Sequence, residues 1–116
     1  MIIAVDFDGT LVQDKFPEIG EAFTLRMRCV KLLRKHGHKV ILWTCRTGKH
    51  LEDAVEFCKK HGVEFDAVNC NLPEVQEKWG GDTRKVYCDY YIDDKGRPET
   101  ALNELWISAI NPNYMK

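Results

Sequence analysis

Short apolar runs alternate with amphipathic stretches along most of the chain. Ile2-Ile3-Ala4-Val5 is an unbroken apolar run of the kind a fully buried strand needs, and Val40-Ile41-Leu42-Trp43 is a second. Between them residues 20–36 read as a helix, and residues 50–61 read as another. Both stretches close alike, in Arg34-Lys35-His36-Gly37 and Lys59-Lys60-His61-Gly62. The cations face the negative helix end and the glycine supplies a left-handed stop. Phe65-Asp66-Ala67-Val68 is expected as a third strand and Tyr90-Tyr91-Ile92 as a fourth. Residues 71–85, which hold Pro73, Trp79, Gly80 and Gly81, are expected to be irregular. Residues 100–110 are expected to close the fold as a helix, with Leu102, Leu105 and Trp106 inward.

Strand, helix and strand in succession imply parallel pairing through βαβ units. The expected fold class is therefore α/β: a three-layer, doubly wound, Rossmann-like arrangement on a short, mainly parallel sheet. Counting only these four strands, the expected order is 4-1-2-3. In such sheets ligands collect beyond the carboxyl ends of the strands, near the point where the order reverses. Three of the strands end there in polar groups: Asp6 and Asp8, then Thr44 and Arg46, then Asp93 and Asp94.

The first of these clusters carries the chemistry. Side chains at i and i+2 of an extended chain share a face, so Asp6 and Asp8 would crowd one space. At about 4 Å and a dielectric near 20 their repulsion is roughly 4 kcal/mol. An oxygen-seeking cation such as magnesium would relieve it, and a neighbouring carboxylate or bound anion could hold one acid protonated. A carboxylate can attack phosphorus and form an acyl phosphate. Asp6, the first acid past the strand, suits that role. Asp8 is placed to protonate the leaving alkoxide and then to deprotonate water. Donors and positive charge are also needed around the phosphoryl oxygens, and Thr44, Arg46, magnesium and a lysine could supply them.

Composition narrows the reading. A length of 116 residues suits one unit, 1–116, with no visible linker. At 44% hydrophobic and 30% charged, with a formal net charge of -1, the chain has no excess of basic residues to suit general nucleic-acid affinity. Its five cysteines form no Cys-x-x-Cys pair and are expected to be reduced, mostly packed thiols; its four histidines show no zinc-site spacing with them. The opening apolar run is too short for a signal peptide and lacks a basic leader, so a cytoplasmic location and no membrane association are expected.

Asp6-Phe7-Asp8-Gly9-Thr10 after a hydrophobic strand resembles, position by position, the first motif of the haloacid dehalogenase-like hydrolase superfamily, in its magnesium-dependent phosphatase branch. The resemblance covers nearly the whole chain. It implies that Asp6 is nucleophile and magnesium ligand, that Asp8 is the acid/base with its carbonyl also on the metal, and that Gly9 permits the turn. Thr44 resembles the second motif, a phosphate-binding hydroxyl, and Arg46 resembles a Thr-x-Arg variant with the arginine near the phosphate or leaving group. For the third motif, a lysine ahead of the final acids, Lys85 is chosen over Lys78, Arg84 and Lys95. Asp93 and Asp94 resemble the fourth motif, the metal-binding pair, although Ile92 stands where glycine is frequent.

The intervals between motifs are too short for a folded cap, which implies a capless member. The expected activity is phosphomonoester hydrolysis through a phospho-aspartyl intermediate, on a phosphorylated substrate whose class the sequence leaves open. An open site suits a phosphoprotein or a nucleic-acid end, unless a second copy or a partner closes over it. Gln13, Lys15, Phe16, Lys49 and His50 lie on the expected rim. The competing readings are a catalytically idle relative that binds magnesium or a phosphoryl group, and a receiver-like signalling module. A receiver places its acceptor Asp after the third strand, whereas Asp66 precedes the apolar end of that segment.

Overall fold

The computed structural model describes residues 1–110; positions 111–116 of the expected unit lie outside them. The elements in chain order are β1 (Ile2–Val5), β2 (Val12–Lys15), β3 (Glu18–Ala22), α1 (Thr24–Lys35), β4 (Lys39–Leu42), α2 (Gly48–Lys60), β5 (Ala67–Val68), α3 (Pro73–Trp79), β6 (Tyr90–Ile92) and α4 (Pro98–Leu105). Helix α4 runs on into a wider, π-type turn at Trp106–Ile110.

Four parallel strands form the main sheet in the order β5-β4-β1-β6. By segment that order is 67–68, 39–42, 2–5 and 90–92, and β2 and β3 form a separate antiparallel pair. Ile3 lies opposite both Val40 and Tyr90, and Val5 opposite Leu42 and Ile92. The register brings the carboxyl ends of β1, β4 and β6 level. Each central strand is buried on both faces because its residues alternate between two cores. Ile3, Val5, Val40 and Leu42 pack with Met27, Val30 and Leu33 of α1, Ala54 and Cys58 of α2, and Leu102 and Leu105 of α4. Ala4 and Ile41 point the other way, to Leu72, Val75 and Val86. Fully burying a side chain such as Leu33 or Ile41 is worth about 1.5–3 kcal/mol, so these two layers hold the sheet in place.

Helices α1 and α2 end at the expected cations, and Gly37 and Gly62 beyond them take positive φ of 91° and 78°. Four expectations change. Residues 20–22 belong to β3 rather than to the first helix. There β3 crosses β2 so closely that a Cβ on Gly20 would lie 2.2 Å from the carbonyl oxygen of Gln13, which only glycine tolerates. Within residues 71–85 lies a helix, α3, opened by Pro73 at its first turn and closed by left-handed Gly80. The third strand shortens to Ala67–Val68; just before it the Asp66 N–H still donates to the Val40 carbonyl, while the Asp66 carboxylate, in place of a backbone carbonyl, accepts from the Val40 N–H and from Arg34. Trp106 is only half-buried, beyond the last regular α-helical turn, while Leu102 and Leu105 are inward. Cys29 and Cys58 are packed thiols, whereas Cys45 is exposed.

Candidate functional site

The chain leaves β1 with its direction still fixed by the sheet: Asp6 N–H donates to the Ile92 carbonyl at 2.9 Å. It then turns sharply. The Phe7 carbonyl accepts from the N–H groups of Thr10 and Leu11, at 3.1 and 2.9 Å, and the Phe7 ring is fully buried, edge-on to Phe57. Gly9 completes the turn at φ 77°, and a Cβ there would stand 2.8 Å from Cβ of Asp94. Glycine thus serves twice, by adopting the left-handed conformation and by admitting an acid from the far end of the chain.

Asp6 Oδ1 accepts from the Phe7 N–H at 2.7 Å. Burial pushes the Asp6 carboxyl up to about 6; the Phe7 hydrogen bond opposes this, and repulsion from Asp94, Asp8 and Asp93 reinforces it. Four carboxylates from the two ends of the sequence therefore act on one another. Asp93 is half-buried and its Oδ1 accepts from the Lys95 N–H at 3.0 Å, while Asp94 Oδ2 lies 3.7 Å from Lys95 Nζ. Their oxygens are the hard donors that magnesium prefers. Among the described residues, however, no three His, Cys, Asp or Glu side chains are drawn together as a metal-holding group.

Thr44 is half-buried at the end of β4. Its N–H donates to Asn69 Oδ1 at 2.8 Å, and its Oγ1 accepts from the Arg46 N–H at 3.2 Å. Asn69 Nδ2 in turn donates to the Arg46 carbonyl at 3.2 Å. Asn69, at φ 52°, thus clamps the loop that carries Thr44. Sequence reasoning missed Asn69. The available signal was an asparagine, one of the residues that tolerate positive φ, directly after a strand.

Arg46 departs most from expectation. Its side chain is 1% exposed and its five N–H donors are all used. Nε and Nη2 hold the two oxygens of Asp8 at 2.8 and 2.7 Å. Nη2 also donates to the Glu18 carbonyl, and Nη1 donates to the carbonyls of Pro17 and His50. The plane lies 5.1 Å from the Phe7 ring centre and 5.0 Å from that of Phe16. All its N–H groups are thus engaged within the protein, and here Arg46 braces Asp8, the β2–β3 hairpin and the start of α2, where the sequence suggests a contact near the phosphate or leaving group.

Lys85 does not join the cluster. Its side chain is exposed and pairs with none of Asp6, Asp8, Asp93 and Asp94; among the described residues the lysine that does approach a cluster acid is Lys95. Of the rim residues, Gln13, Lys15, Phe16, Lys49 and His50 are exposed. Lys49 pairs with Asp53 one helical turn on, at 2.9 Å, and Phe16 lies edge-on to His50.

A solved structure described as that of a conserved protein coded by a locus from Bacteroides thetaiotaomicron is similar to this chain at 39% identity, with a TM-score of 0.79. The match covers 93% of this chain and 89% of that one. The chain belongs to the same family as that protein. At that coverage and TM-score the α/β fold is common to both. No protein-family model and no curated protein matches the chain.

Proposed function

We propose that this chain is a capless, magnesium-dependent phosphomonoester hydrolase of the haloacid dehalogenase-like superfamily, on a three-layer, doubly wound, Rossmann-like core. The observation that carries this reading is that Asp6 and Asp8 leave the carboxyl end of β1 beside the end of β6, where Asp93 and Asp94 follow and Asp94 packs against Gly9, so that the four charges act on one another without closing into a metal-holding group. Such an excess of negative charge is unfavourable by itself and suited to a cation and a phosphoryl group together.

Asp6, Asp93 and Asp94 would hold magnesium through their carboxylates and Asp8 through its carbonyl. The ion, when bound, supplies positive charge to the phosphoryl oxygens. Asp6 Oδ1 is occupied by the Phe7 N–H, which leaves Oδ2 to attack phosphorus. Asp8, with one Arg46 bond given up and that oxygen protonated from solvent, gives this proton to the leaving alkoxide, then takes one from the water that cleaves the acyl phosphate. Thr44, positioned by Asn69, donates its hydroxyl to a phosphoryl oxygen. A lysine completes the charge balance. Lys85 holds that role by sequence order and Lys95 by present position.

Hydrolysis of a generic phosphomonoester with magnesium is the first test. Asp6→Asn should abolish it and chelation should stop it reversibly; full activity of either would end the proposal. Lys85→Ala and Lys95→Ala, measured side by side, should show which lysine serves, by a loss of at least about tenfold in kcat/KM for one alone.

A second reading is supported by the complete engagement of Asp8 by Arg46, which leaves no oxygen of that acid unpaired. It makes the chain a magnesium- and phosphoryl-binding module without turnover. Calorimetric binding of magnesium and phosphate, with no hydrolysis of any phosphoester, would select it.

A further inference from the structure

Arg46 is withdrawn from the surface, with every N–H engaged inside the protein. It joins three segments: Asp8 on the turn after β1, the hairpin tip at Pro17 and Glu18, and the first turn of α2 at His50. A guanidinium can do this because its planar fork meets a carboxylate with two parallel N–H bonds and keeps three further donors for carbonyls. Phe16, from the hairpin, and Phe7, from the catalytic turn, lie against the same cation. The hairpin base is seated by Val12, Ile19 and Ala22 against the core, whereas its tip, apart from the edge contact of Phe16 with His50, hangs on the group that also holds Asp8.

We infer that Arg46 is a positioning residue that couples the β2–β3 hairpin to Asp8, so that in this capless chain the hairpin sets the orientation of the acid/base. Where a cap would otherwise approach the reacting groups stands a hairpin of eleven residues, Val12 to Ala22, joined at its base to the Asp8 turn by the backbone of Val12 and at its tip to the Asp8 carboxylate by the Arg46 side chain. A substrate that displaces the tip pulls on the Asp8 carboxylate, and a substrate that seats beside it leaves Asp8 aimed. The acid/base half of this inference rests on the proposed phosphatase reading. The mechanical half does not.

Lysine at position 46 keeps the charge but offers three donors from one point, too few and too compact to span the same partners. Amide hydrogen exchange across Val12 to Ala22 should therefore quicken about tenfold in Arg46→Lys, and measurably in Asp8→Asn, with magnesium and substrate absent. Unchanged hairpin exchange in both variants would overturn the coupling whatever the chain catalyses.

Turnover gives the second arm. Arg46→Ala should lower kcat at least about tenfold with KM for a small phosphomonoester nearly unchanged, and added guanidinium should restore part of kcat. Asp8→Asn and the Asp8→Asn/Arg46→Ala double variant should share one kcat, because the arginine acts through the acid. A rise in KM and in the inhibition constant for inorganic phosphate, with kcat held, would make Arg46 a phosphate ligand and overturn the proposal. An inactive wild-type protein would instead remove the phosphatase reading, leaving the exchange experiment to decide the coupling.

Discussion

Asp6 is where burial and charge meet most directly. Its carboxyl is raised from 3.8 to about 6, so the folded protein holds this proton more tightly than the unfolded chain does. The sign follows: the contribution to stability is fullest below pH 3.8 and is lost as pH rises through about 6. Asparagine carries no such charge. In chelator, urea unfolding should show Asp6→Asn gaining about 1–2 kcal/mol on wild type between pH 4 and pH 7, after allowance for screening in a half-buried site. Magnesium should reduce that gain by restoring the wild type. An advantage independent of pH would mean that repulsion at Asp6 is not the cause. The roles at this scale were legible unevenly. Asp6, Asp8 and Gly9 could be read because two acids and a glycine after an apolar run leave few alternatives. Arg46 could not, since its partners Pro17, Glu18 and His50 offer only carbonyl oxygens, which every residue has.

At the scale of elements the loop after β4 depends on β5. Asn69 satisfies one donor and one acceptor of the 44–46 segment, and its own N–H donates to the Leu42 carbonyl at 2.8 Å. Asn69→Ala should cost about 1–2 kcal/mol in thermal or urea unfolding and should weaken inhibition by inorganic phosphate, because Thr44 loses its support. Unaltered phosphate inhibition would show that Thr44 is held by other means. Strands β1, β4 and β6 were legible from apolar runs, and the ends of α1 and α2 from their terminal cations and glycines. The hairpin was not, because β2 reads Val-Gln-Asp-Lys and three of its four residues are exposed, so little hydrophobic pattern marks it. Helix α3 hid for a related reason: it has seven residues, of which Val75 alone is buried.

Across the whole molecule, the two ends of the parallel sheet have separate tasks. The carboxyl ends carry the acids, while the amino ends are tied by Asp66, which accepts from Arg34 Nε and Nη2 at 3.2 and 3.1 Å and from Val40 N–H at 2.8 Å. Burial alone would raise the Asp66 carboxyl, but those bonds overcome it and hold it below the ordinary value. Asp66→Ala should therefore lose about 2–3 kcal/mol at neutral pH, a difference that shrinks as pH falls and the wild-type carboxylate takes up its proton. Activity per folded molecule should not change, and a fall in kcat at full folding would contradict this division. The position of Asp66 at the amino end also removes it as a phosphoryl acceptor of the receiver kind. The buried parallel strands were legible in sequence because they need both faces apolar, whereas the partners of each acid depended on turns whose geometry no local pattern encodes.

The brevity of the outer strands reaches beyond the site. With two residues in β5 and three in β6, the main sheet offers a neighbouring molecule almost no ladder to extend. Templated fibre growth from those margins is thereby discouraged, although Tyr90 and Tyr91 leave aromatic surface uncovered there.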